Sequence, residues 1–495
     1  MSDELLDLSQ VRIDPAIALQ VPASLTLRRK VLPFAQVDQR VFVACANPQD
    51  AAALRALKRH FKQLEVVVRR AEASSLQAAL DRTYGDGDTR HFARSDTTRV
   101  RLAAGAEIDD DAVSRCDELL RAAILRQASD LHIDPERDGV RVRLRVDGQL
   151  EDLPRLPLDA LAGVISRFKV LSDMDIAEKR APQDGRFTHR FGAGKVVELR
   201  TATLPTQHGE RMTLRLLALQ TAELTLEKLG LFPEQLALVD AHLKRPHGMF
   251  LVTGPTGSGK STTLYAAVRR LIAMRPLNVI TVEDPVEFDM QGAAQVEVDS
   301  ADKVSFLRAL RSILRHDPDV VMIGEVRDRE TADVAIKASL TGHLVLSTLH
   351  TNSALGAITR LRDMGVEPYL LAACLRLVAA QRLVRQLCRR CAVPRALAPD
   401  EAALFGQPQR AGAEVKEPRG CLYCGGRGLV GRLGLFEVVE LAGVWRERVA
   451  GGYSEPQLLD AMRADGLPTL ADNALRRVLA GDTPVSEALA AVATG

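Results

Sequence analysis

The spacing of apolar residues predicts alternating helices and strands over the first part of the chain. Strand-like runs at 31–36 and 64–70 flank a helix-like run at 50–61, in which apolar residues recur every three or four positions. Such a pattern is typical of a small α/β module. We therefore expect an N-terminal module over residues 1–84, ready to bind a partner.

The pattern is lost at 85–111, which is rich in Gly, Asp, Thr and Arg and has no periodic apolar face. We expect a flexible linker there. Beyond it, a helical run at 112–128 precedes residues 140–150, where apolar and charged residues alternate as in a half-buried strand. A second helical run and two more strand-like runs complete an α+β domain predicted over 112–220.

Four short apolar runs separated by helix-capable sequence predict a parallel sheet with crossover helices over 221–385. They read MFLVT, NVITV, VVMIG and HLVLST. The last three lead into Glu283, Glu325 and His350. Ligand sites in such sheets lie outside the carboxyl ends of the strands, so these side chains should gather at one place.

A glycine-rich turn follows the first run and opens a helix, which is the context that gives the G-x-x-x-x-G-K-[ST] pattern its meaning. Its backbone amides and the helix N-terminus suit phosphate oxygens, a lysine adds charge and a serine hydroxyl can bind Mg²⁺. The predicted nucleotide-binding residues are Gly254, Pro255, Thr256, Gly257, Ser258, Gly259, Lys260, Ser261 and Thr262.

Nucleoside triphosphate hydrolysis also needs a carboxylate that orients water and groups that meet the charge of the transition state. Glu283 and Glu325 are the candidate carboxylates, and the residues leave open which of them is the base. His343 and His350 are candidates to sense or contact the γ-phosphate. We count Lys260 and His350 with the two carboxylates as catalytic.

Seven cysteines are present, and four of them form two C-x-x-C pairs: Cys388 with Cys391, and Cys421 with Cys424. Two turn-borne thiolate pairs are typical of a structural Zn²⁺ site. We therefore expect a zinc module over 386–440 and a helical region over 441–495. A redox dithiol is the alternative, although it would need only one pair. The other three cysteines are expected to be buried thiols.

Composition narrows the classes of function. The 495 residues carry 66 Lys and Arg against 64 Asp and Glu, with 5 Tyr and 1 Trp. Such balance and so few aromatic residues argue against a nucleic-acid partner. The acidic start predicts no secretory signal and a cytoplasmic protein. The longest run without charge, 338–359, contains two His and an Asn, so it predicts a buried segment beside a polar site rather than a membrane span.

Several motifs together resemble the type II/type IV secretion ATPase superfamily, and within it most closely the GspE family. They cover essentially residues 112–440 and read SDLHIDP, LPTQHGERMTLRLL, GPTGSGKST, TVEDPVE, RHDPDVVMIGEVRDRETA, TGHLVLSTLHTN and the paired C-x-x-C. The resemblance implies a RecA-like P-loop ATPase domain preceded by an α+β, PAS-like domain. It makes Glu283 and Glu325 the catalytic carboxylates and His343 and His350 members of the His box.

The same resemblance implies that two arginines of the PAS-like domain, Arg200 and Arg215, reach nucleotide phosphates when domains or subunits close. Arg311 and Arg315, four residues apart, could serve a similar phosphate or subunit contact. The alternative is that these arginines belong to solvated surfaces. A cyclic dinucleotide, bound by some relatives, is not carried over because the full motif is absent.

The resemblance implies a homo-hexameric ATPase, with ATP, Mg²⁺ and Zn²⁺ as cofactors, that powers pseudopilus assembly and protein export by type II secretion. It would work at the cytoplasmic face of the inner membrane with GspL-like and GspF-like partners. The alternative within the superfamily is a type IV pilus assembly ATPase, which shares every motif. A nucleic-acid translocase and an inactive scaffold are the readings from other classes, and the intact Lys260 and Ser261 argue against the scaffold.

Overall fold

The structure is a computed structural model that describes residues 5–11, 13–18, 20–21, 23–62, 64–84, 110–191, 195–217, 225–298 and 305–493. It divides into two compact units. The first comprises Met1–Leu219, Cys388–Ala392 and Pro418–Leu429, and the second comprises Gln220–Leu387, Val393–Glu417 and Val430–Gly495. Residues 85–109, nearly all of the predicted linker, lie outside the described residues.

The start of the first unit forms a three-stranded sheet of order β1-β2-β3, in which β2 pairs antiparallel with β1 and parallel with β3. Phe34 of β1 and Tyr84 of α4 are buried in the core between the sheet and the helices. The Asp50 carboxylate accepts two backbone N–H groups at the start of α3 and so fixes where that helix begins. The elements are α1(Pro15–Ala18), α2(Ala23–Arg29), β1(Val31–Val37), β2(Arg40–Cys45), α3(Ala51–His60), β3(Glu65–Arg70) and α4(Ala73–Tyr84).

The first unit also contains a six-stranded sheet of order β6-β5-β4-β9-β8-β7. Alternation in β5 buries its valines and its leucine and leaves three arginines on the other face, as the sequence pattern predicts. Two long helices pack on the apolar face. The elements are α5(Asp110–Leu125), β4(Asp130–Glu136), β5(Gly139–Val146), β6(Gln149–Asp152), α6(Leu158–Leu171), β7(Gln183–Phe191), β8(Lys195–Thr206) and β9(Gly209–Leu217).

The second unit is built on a seven-stranded sheet of order β12-β11-β13-β14-β10-β15-β18. Four of its strands, β10, β11, β13 and β14, are buried along their whole length, as expected for parallel strands covered on both faces. The elements up to the fourth of these strands are α7(Pro233–Leu243), β10(Gly248–Thr253), α8(Lys260–Met274), β11(Val279–Glu283), β12(Ala294–Glu297), α9(Phe306–Ile313), β13(Val320–Ile323), α10(Arg329–Leu340) and β14(Leu344–Leu349).

The sheet extends beyond the predicted motor domain of 221–385, because β18, which falls within the range predicted as the zinc module, adds to it beside β15. Helices of the C-terminal region complete the second unit. The elements are α11(Ala354–Asp363), α12(Pro368–Cys374), β15(Leu375–Leu387), β16(Val393–Ala396), α13(Pro399–Leu404), β17(Glu414–Glu417), β18(Leu429–Glu440), α14(Val444–Ala450), α15(Glu455–Ala464), α16(Leu470–Leu479) and α17(Val485–Ala493).

The long uncharged run at 338–359 contains the end of α10 and the fully buried β14, so it lies in the core of the second unit. Among the described residues, no helix combines the length and apolar character that crossing a bilayer requires. Cys45, Cys116 and Cys374 are buried, as predicted.

The cysteine-rich segment, defined as the two stretches Cys388–Ala392 and Pro418–Leu429, belongs to the first unit, and its second stretch packs on the N-terminal module. Leu422 and Tyr423 pack against the module's apolar core. The Arg390 guanidinium lies 3.8 Å from the centre of the Tyr423 ring, so a cation also stacks on this aromatic anchor. Arg427 pairs with Glu151 of the six-stranded sheet. The segment therefore joins the two sheets of the first unit.

Candidate active site

Residues 254–259 form the turn between β10 and α8 and have the backbone that a phosphate-binding loop needs. Gly257 and Gly259 adopt φ of +80° and +88°, which side chains rarely tolerate. The helix begins at Lys260, directly after the turn, so its unpaired N–H groups and positive dipole end point toward the loop. A strand, a glycine-rich turn and a helix thus follow one another, which is the local structure that the glycine pattern predicts.

Lys260 is almost completely buried, and its Nζ donates to the carbonyl oxygens of Gly254 and Pro255 at 2.8 and 3.0 Å. Burial lowers the pKa of this ammonium to about 8; the Glu325 carboxylate raises it and the Arg382 guanidinium lowers it further. A phosphate at this position would supply the countercharge that burial makes favourable.

The loop also holds a polar atom in need of a partner. The hydroxyl oxygen of Ser258 is buried and has no hydrogen-bond partner among the described residues. Ser261 lies in the first turn of the helix and is exposed, so its hydroxyl is open to a ligand. The loop residues therefore fit a nucleotide phosphate, and the Ser261 hydroxyl fits a hard cation such as Mg²⁺.

A cluster of charges lies where β11, β13 and β14 end. The carboxylate of Glu325 contacts His350 Nε2 at 3.0 Å with one oxygen and Arg327 Nε with the other. Arg327 Nη1 also donates to Asp284 at 3.0 Å. The structure thus brings Glu325 and His350 together as predicted, and it adds Arg327 and Asp284.

Arg327 lies two residues after Glu325 in the loop that follows a buried strand, so its position places it among the polar groups at this strand end. The sequence pattern assigns it no role. The guanidinium is about three-fifths exposed, so only its fork between Asp284 and Glu325 distinguishes it from a solvated arginine.

Glu283 has a different environment from Glu325. It is only 4% exposed, and its two oxygens accept hydrogen bonds from Tyr265 Oη, from Thr281 Oγ1 at 2.6 Å and from Gln295 Nε2 at 3.1 Å. Burial and the adjacent carboxylate raise the pKa of the Tyr265 phenol, which therefore remains a donor. Glu283 is held by its neighbours, whereas Glu325 faces the open end of the sheet.

His343 lies at the opposite end of β14 from His350. Its Nδ1 is 2.8 Å from the carbonyl oxygen of Ala338, at the end of α10, and its own carbonyl accepts from Gly248 at the start of β10. Six strand residues, about 20 Å of extended chain, separate it from the cluster at the carboxyl ends. The structure does not bring His343 to the phosphate loop, because a strand places its two ends on opposite edges of the sheet.

Arg200 and Arg215 are direct neighbours on β8 and β9 of the first unit. Arg215 Nε donates to Asp130 at 3.0 Å, and its side chain is 64% exposed. The two guanidinium groups thus share one face of the six-stranded sheet, where an acidic residue orients one of them. Arg311 is a surface residue of α9, with Glu330 of the next helix 3.9 Å away.

The four predicted metal ligands come together. The sulfur atoms of Cys388, Cys391, Cys421 and Cys424 all lie within 4.8 Å of one another, and three of the pairs are 3.8 Å apart. A tetrahedron with zinc–sulfur bonds of about 2.3 Å has edges of about 3.8 Å. The donor set therefore fits Zn²⁺, and the separations are far longer than the bond of about 2.05 Å in a disulfide.

Comparison with known proteins identifies the chain's relatives. A family described as Type II/IV secretion system protein matches residues 107–490, and a MshEN domain matches residues 4–90. Type II secretion system protein E of Klebsiella pneumoniae is 48% identical over 384 residues, which are 77% of this chain and 76% of the relative. Type IV pilus assembly ATPase PilB of Myxococcus xanthus is 38% identical, over 97% of this chain and 88% of its own length.

One solved structure is similar in both sequence and fold. The crystal structure of the pilus retraction motor PilT with bound ADP is 27% identical, with a TM-score of 0.53, and the match covers 76% of this chain and 96% of that one. These matches confirm the fold class predicted from the sequence: a RecA-like P-loop ATPase domain preceded by an α+β domain and a small N-terminal module.

The unlike environments of the two glutamates predict unlike effects on stability. Glu283→Ala should lower the stability of the second unit by about 3 kcal/mol, because it removes the acceptor of the buried Tyr265 and Thr281 hydroxyl groups and creates a cavity. Glu325→Ala should change stability by less than about 1 kcal/mol, since its partners, Arg327 and His350, are half exposed or more. Differential scanning calorimetry of both variants measures the effect. Equal losses would mean that Glu283 is not held as described.

Proposed function

The chain belongs to the Type II/IV secretion system protein family and is an ATPase, and we propose that it powers pseudopilus assembly and protein export by a type II secretion system. The observation that carries the proposal is the phosphate loop beside Glu325, in a chain 48% identical to a relative named type II secretion system protein E. The site accounts for ATP hydrolysis, and the name of the relative indicates which process the hydrolysis would drive.

The loop amides, the start of α8 and Lys260 hold the phosphates of ATP. The Ser261 hydroxyl would hold Mg²⁺, and the ion would neutralise charge on the phosphate oxygens. Lys260 now donates to two carbonyl oxygens of its own loop, so it exchanges these contacts for a phosphate oxygen when the nucleotide binds. Ser258 offers its unpartnered hydroxyl to the same group of oxygens.

Glu325 is the better candidate for the general base. Its carboxylate lies at the open end of the sheet, and its two oxygens contact His350 and Arg327, whose side chains are about half exposed and about three-fifths exposed. A base must reach the attacking water, and Glu283 is almost completely buried among its donors, whereas Glu325 is partly exposed. We therefore assign water activation to Glu325, orientation of that carboxylate to His350, and support of the β11 end of the site to Glu283.

We further propose that the chain acts as a homo-hexamer in the cytoplasm, peripheral at the inner membrane, with GspL-like and GspF-like partners. Arg200 and Arg215 support an assembled site, because they share one exposed sheet face and belong to a unit separate from the phosphate loop. Arginines presented in this way complete phosphoryl-transfer sites when subunits close. The MshEN domain at residues 4–90 is the candidate for partner binding.

A type IV pilus assembly ATPase is the second candidate, since PilB matches 97% of this chain. Deleting the gene distinguishes the two functions. Secretion requires that exported enzymes accumulate inside the deleted cells while pili persist, and pilus assembly requires the reverse.

Lys260→Ala should lower ATP turnover of the purified protein by at least about a hundredfold, because the loop loses the charge that meets the phosphates. Steady-state phosphate release measures it. Lys244→Ala, a surface substitution just after α7, serves as the matched control and should retain turnover. Turnover of Lys260→Ala at the level of the wild type would contradict the assignment of the loop.

One Zn²⁺ per chain should be found by elemental analysis of protein purified without added metal, since the four thiolates have tetrahedral spacing. Cys421→Ser should lose the metal, and Cys374→Ser, which changes a buried cysteine outside the cluster, should retain it. A stoichiometry near zero, together with a melting temperature that a chelator does not change, would leave the cluster without zinc.

Mixtures of Arg215→Ala and Lys260→Ala chains test whether the arginine acts between subunits. Some mixed rings then contain a site with an intact loop and an intact arginine, so partial ATPase activity should return although each variant alone is inactive. The activity is measured against mixing ratio under conditions where subunit exchange is shown independently. If no activity returns at any ratio, Arg215 acts within its own chain or has no role in hydrolysis.

A further inference from the structure

Two neighbouring buried residues of β15, Gln381 and Arg382, lie beside the phosphate loop and are not part of any motif discussed above. Gln381 Oε1 accepts from Thr263 Oγ1 of α8 at 2.7 Å. A Cβ added at Gly254 would lie 2.5 Å from the Gln381 carbonyl oxygen, and one at Gly259 would lie 2.8 Å from its side-chain nitrogen. The phosphate loop therefore packs directly on this part of β15.

Arg382 extends the contact to the loop that carries His350. It is only 3% exposed, and its Nη2 donates to the carbonyl oxygen of Asn352 at 2.9 Å and lies 3.4 Å from the Asn352 side-chain oxygen. Its Nη1 donates to the carbonyl oxygen of Gln381 at 3.1 Å. A buried guanidinium thus ties the backbone beside the phosphate loop to a residue two positions after His350.

A buried carboxylate from the C-terminal part of the chain secures the end of the same loop. Glu437 of β18 is 4% exposed and accepts from the first backbone N–H of α11, at Ala354, and from the first of α16, at Leu470, both at 2.9 Å. Burial raises the pKa of Glu437, and the nearby Arg382 guanidinium opposes that rise. Arg382 and Glu437 are therefore buried opposite charges on adjacent strands.

The other residues of this loop are fixed as well. Thr351 N donates to Thr253 Oγ1 at 3.0 Å, at the end of β10, and Ser353 Oγ donates to Glu455 at 2.8 Å. Each residue from 351 to 354 is thus held by a different element, whereas His350 itself is about half exposed and contacts Glu325. The contacts at 351–354 therefore fix the backbone next to His350 and so limit the directions that its side chain can take.

We propose that Arg382 and Glu437 are positioning residues for ATP hydrolysis, which fix the loop at 350–354 so that His350 orients the Glu325 carboxylate. This inference rests on the catalytic roles proposed above for His350 and Glu325. Neither residue touches the nucleotide. Their effect is on the chemical step, because a small displacement of a catalytic group lowers turnover without weakening substrate binding.

Arg382→Met should lower kcat by about 10- to 100-fold, while KM and the dissociation constant of a fluorescent ATP analogue stay within about threefold of the wild type. Arg382→Lys keeps the charge beside Glu437 but has a single donor group, so its kcat should lie between those of the wild type and Arg382→Met. Arg385→Met is the matched control, because it makes the same substitution on the same strand and removes a guanidinium that is also bonded, in an ion pair with Glu487 at 2.6 Å. It should keep the kcat of the wild type.

A double-mutant cycle separates positioning from general support of the fold. If Arg382 acts through His350, Arg382→Met should cause little further loss of kcat in a His350→Ala background, and Glu437→Gln should behave in the same way. Arg382→Lys serves in the cycle if Arg382→Met does not fold. A full kcat in either Arg382 variant, or losses that multiply with His350→Ala, would overturn the inference. Lys260→Ala would still abolish turnover in that case, so the proposed function would stand.

Discussion

The parallel pairing of β10 with β14 on one side and β15 on the other is the constraint on which the site depends. In this register Thr253 lies beside Leu349 and beside Ala380. The next residues along the three strands therefore emerge together: the phosphate loop from β10, His350 from β14, and Gln381 from β15. The ladder thus brings three segments that are far apart in sequence together at one edge of the sheet, where side-chain contacts such as Arg382 with Asn352 add to it.

The neighbouring strands β11 and β13 extend the same edge of the sheet. At the end of β11, the adjacent carboxylates of Glu283 and Asp284 point in different directions. Successive side chains of a strand point to opposite faces, so Glu283 and Asp284 have unlike surroundings. Glu283 contacts the phosphate-loop helix through Tyr265, whereas Asp284 joins Arg327 at the open end. The polar residues that the sequence places at these strand ends therefore occupy two environments. Glu283 is buried and hydrogen-bonded, whereas Asp284 lies at the open end of the sheet.

Features with a local cause could be predicted from the sequence, and those with a distant cause could not. The glycine loop, the strand ends and the cysteine pairs each depend on a few consecutive residues. Two of the three donors to Glu283 come from 12 and 18 residues away, and the donor to Asn352 comes from 30 residues away. No periodicity encodes such pairs. His343 shows the reverse case, since it shares a motif with His350 although a strand places the two side chains at opposite ends.

The C-terminal part of the chain is also structural support for the catalytic loop. Glu437 and Glu455 both lie beyond the cysteine-rich segment, and both accept hydrogen bonds from the loop at 350–354. Since β18 adds to the sheet beside β15, Glu437 reaches the helix start at Ala354 only when the chain has returned to the second unit. The cysteine-rich segment consists of two stretches of the first unit, one that follows β15 directly in sequence and one that leads into β18. The first unit is therefore joined covalently to the two strands that carry Arg382 and Glu437.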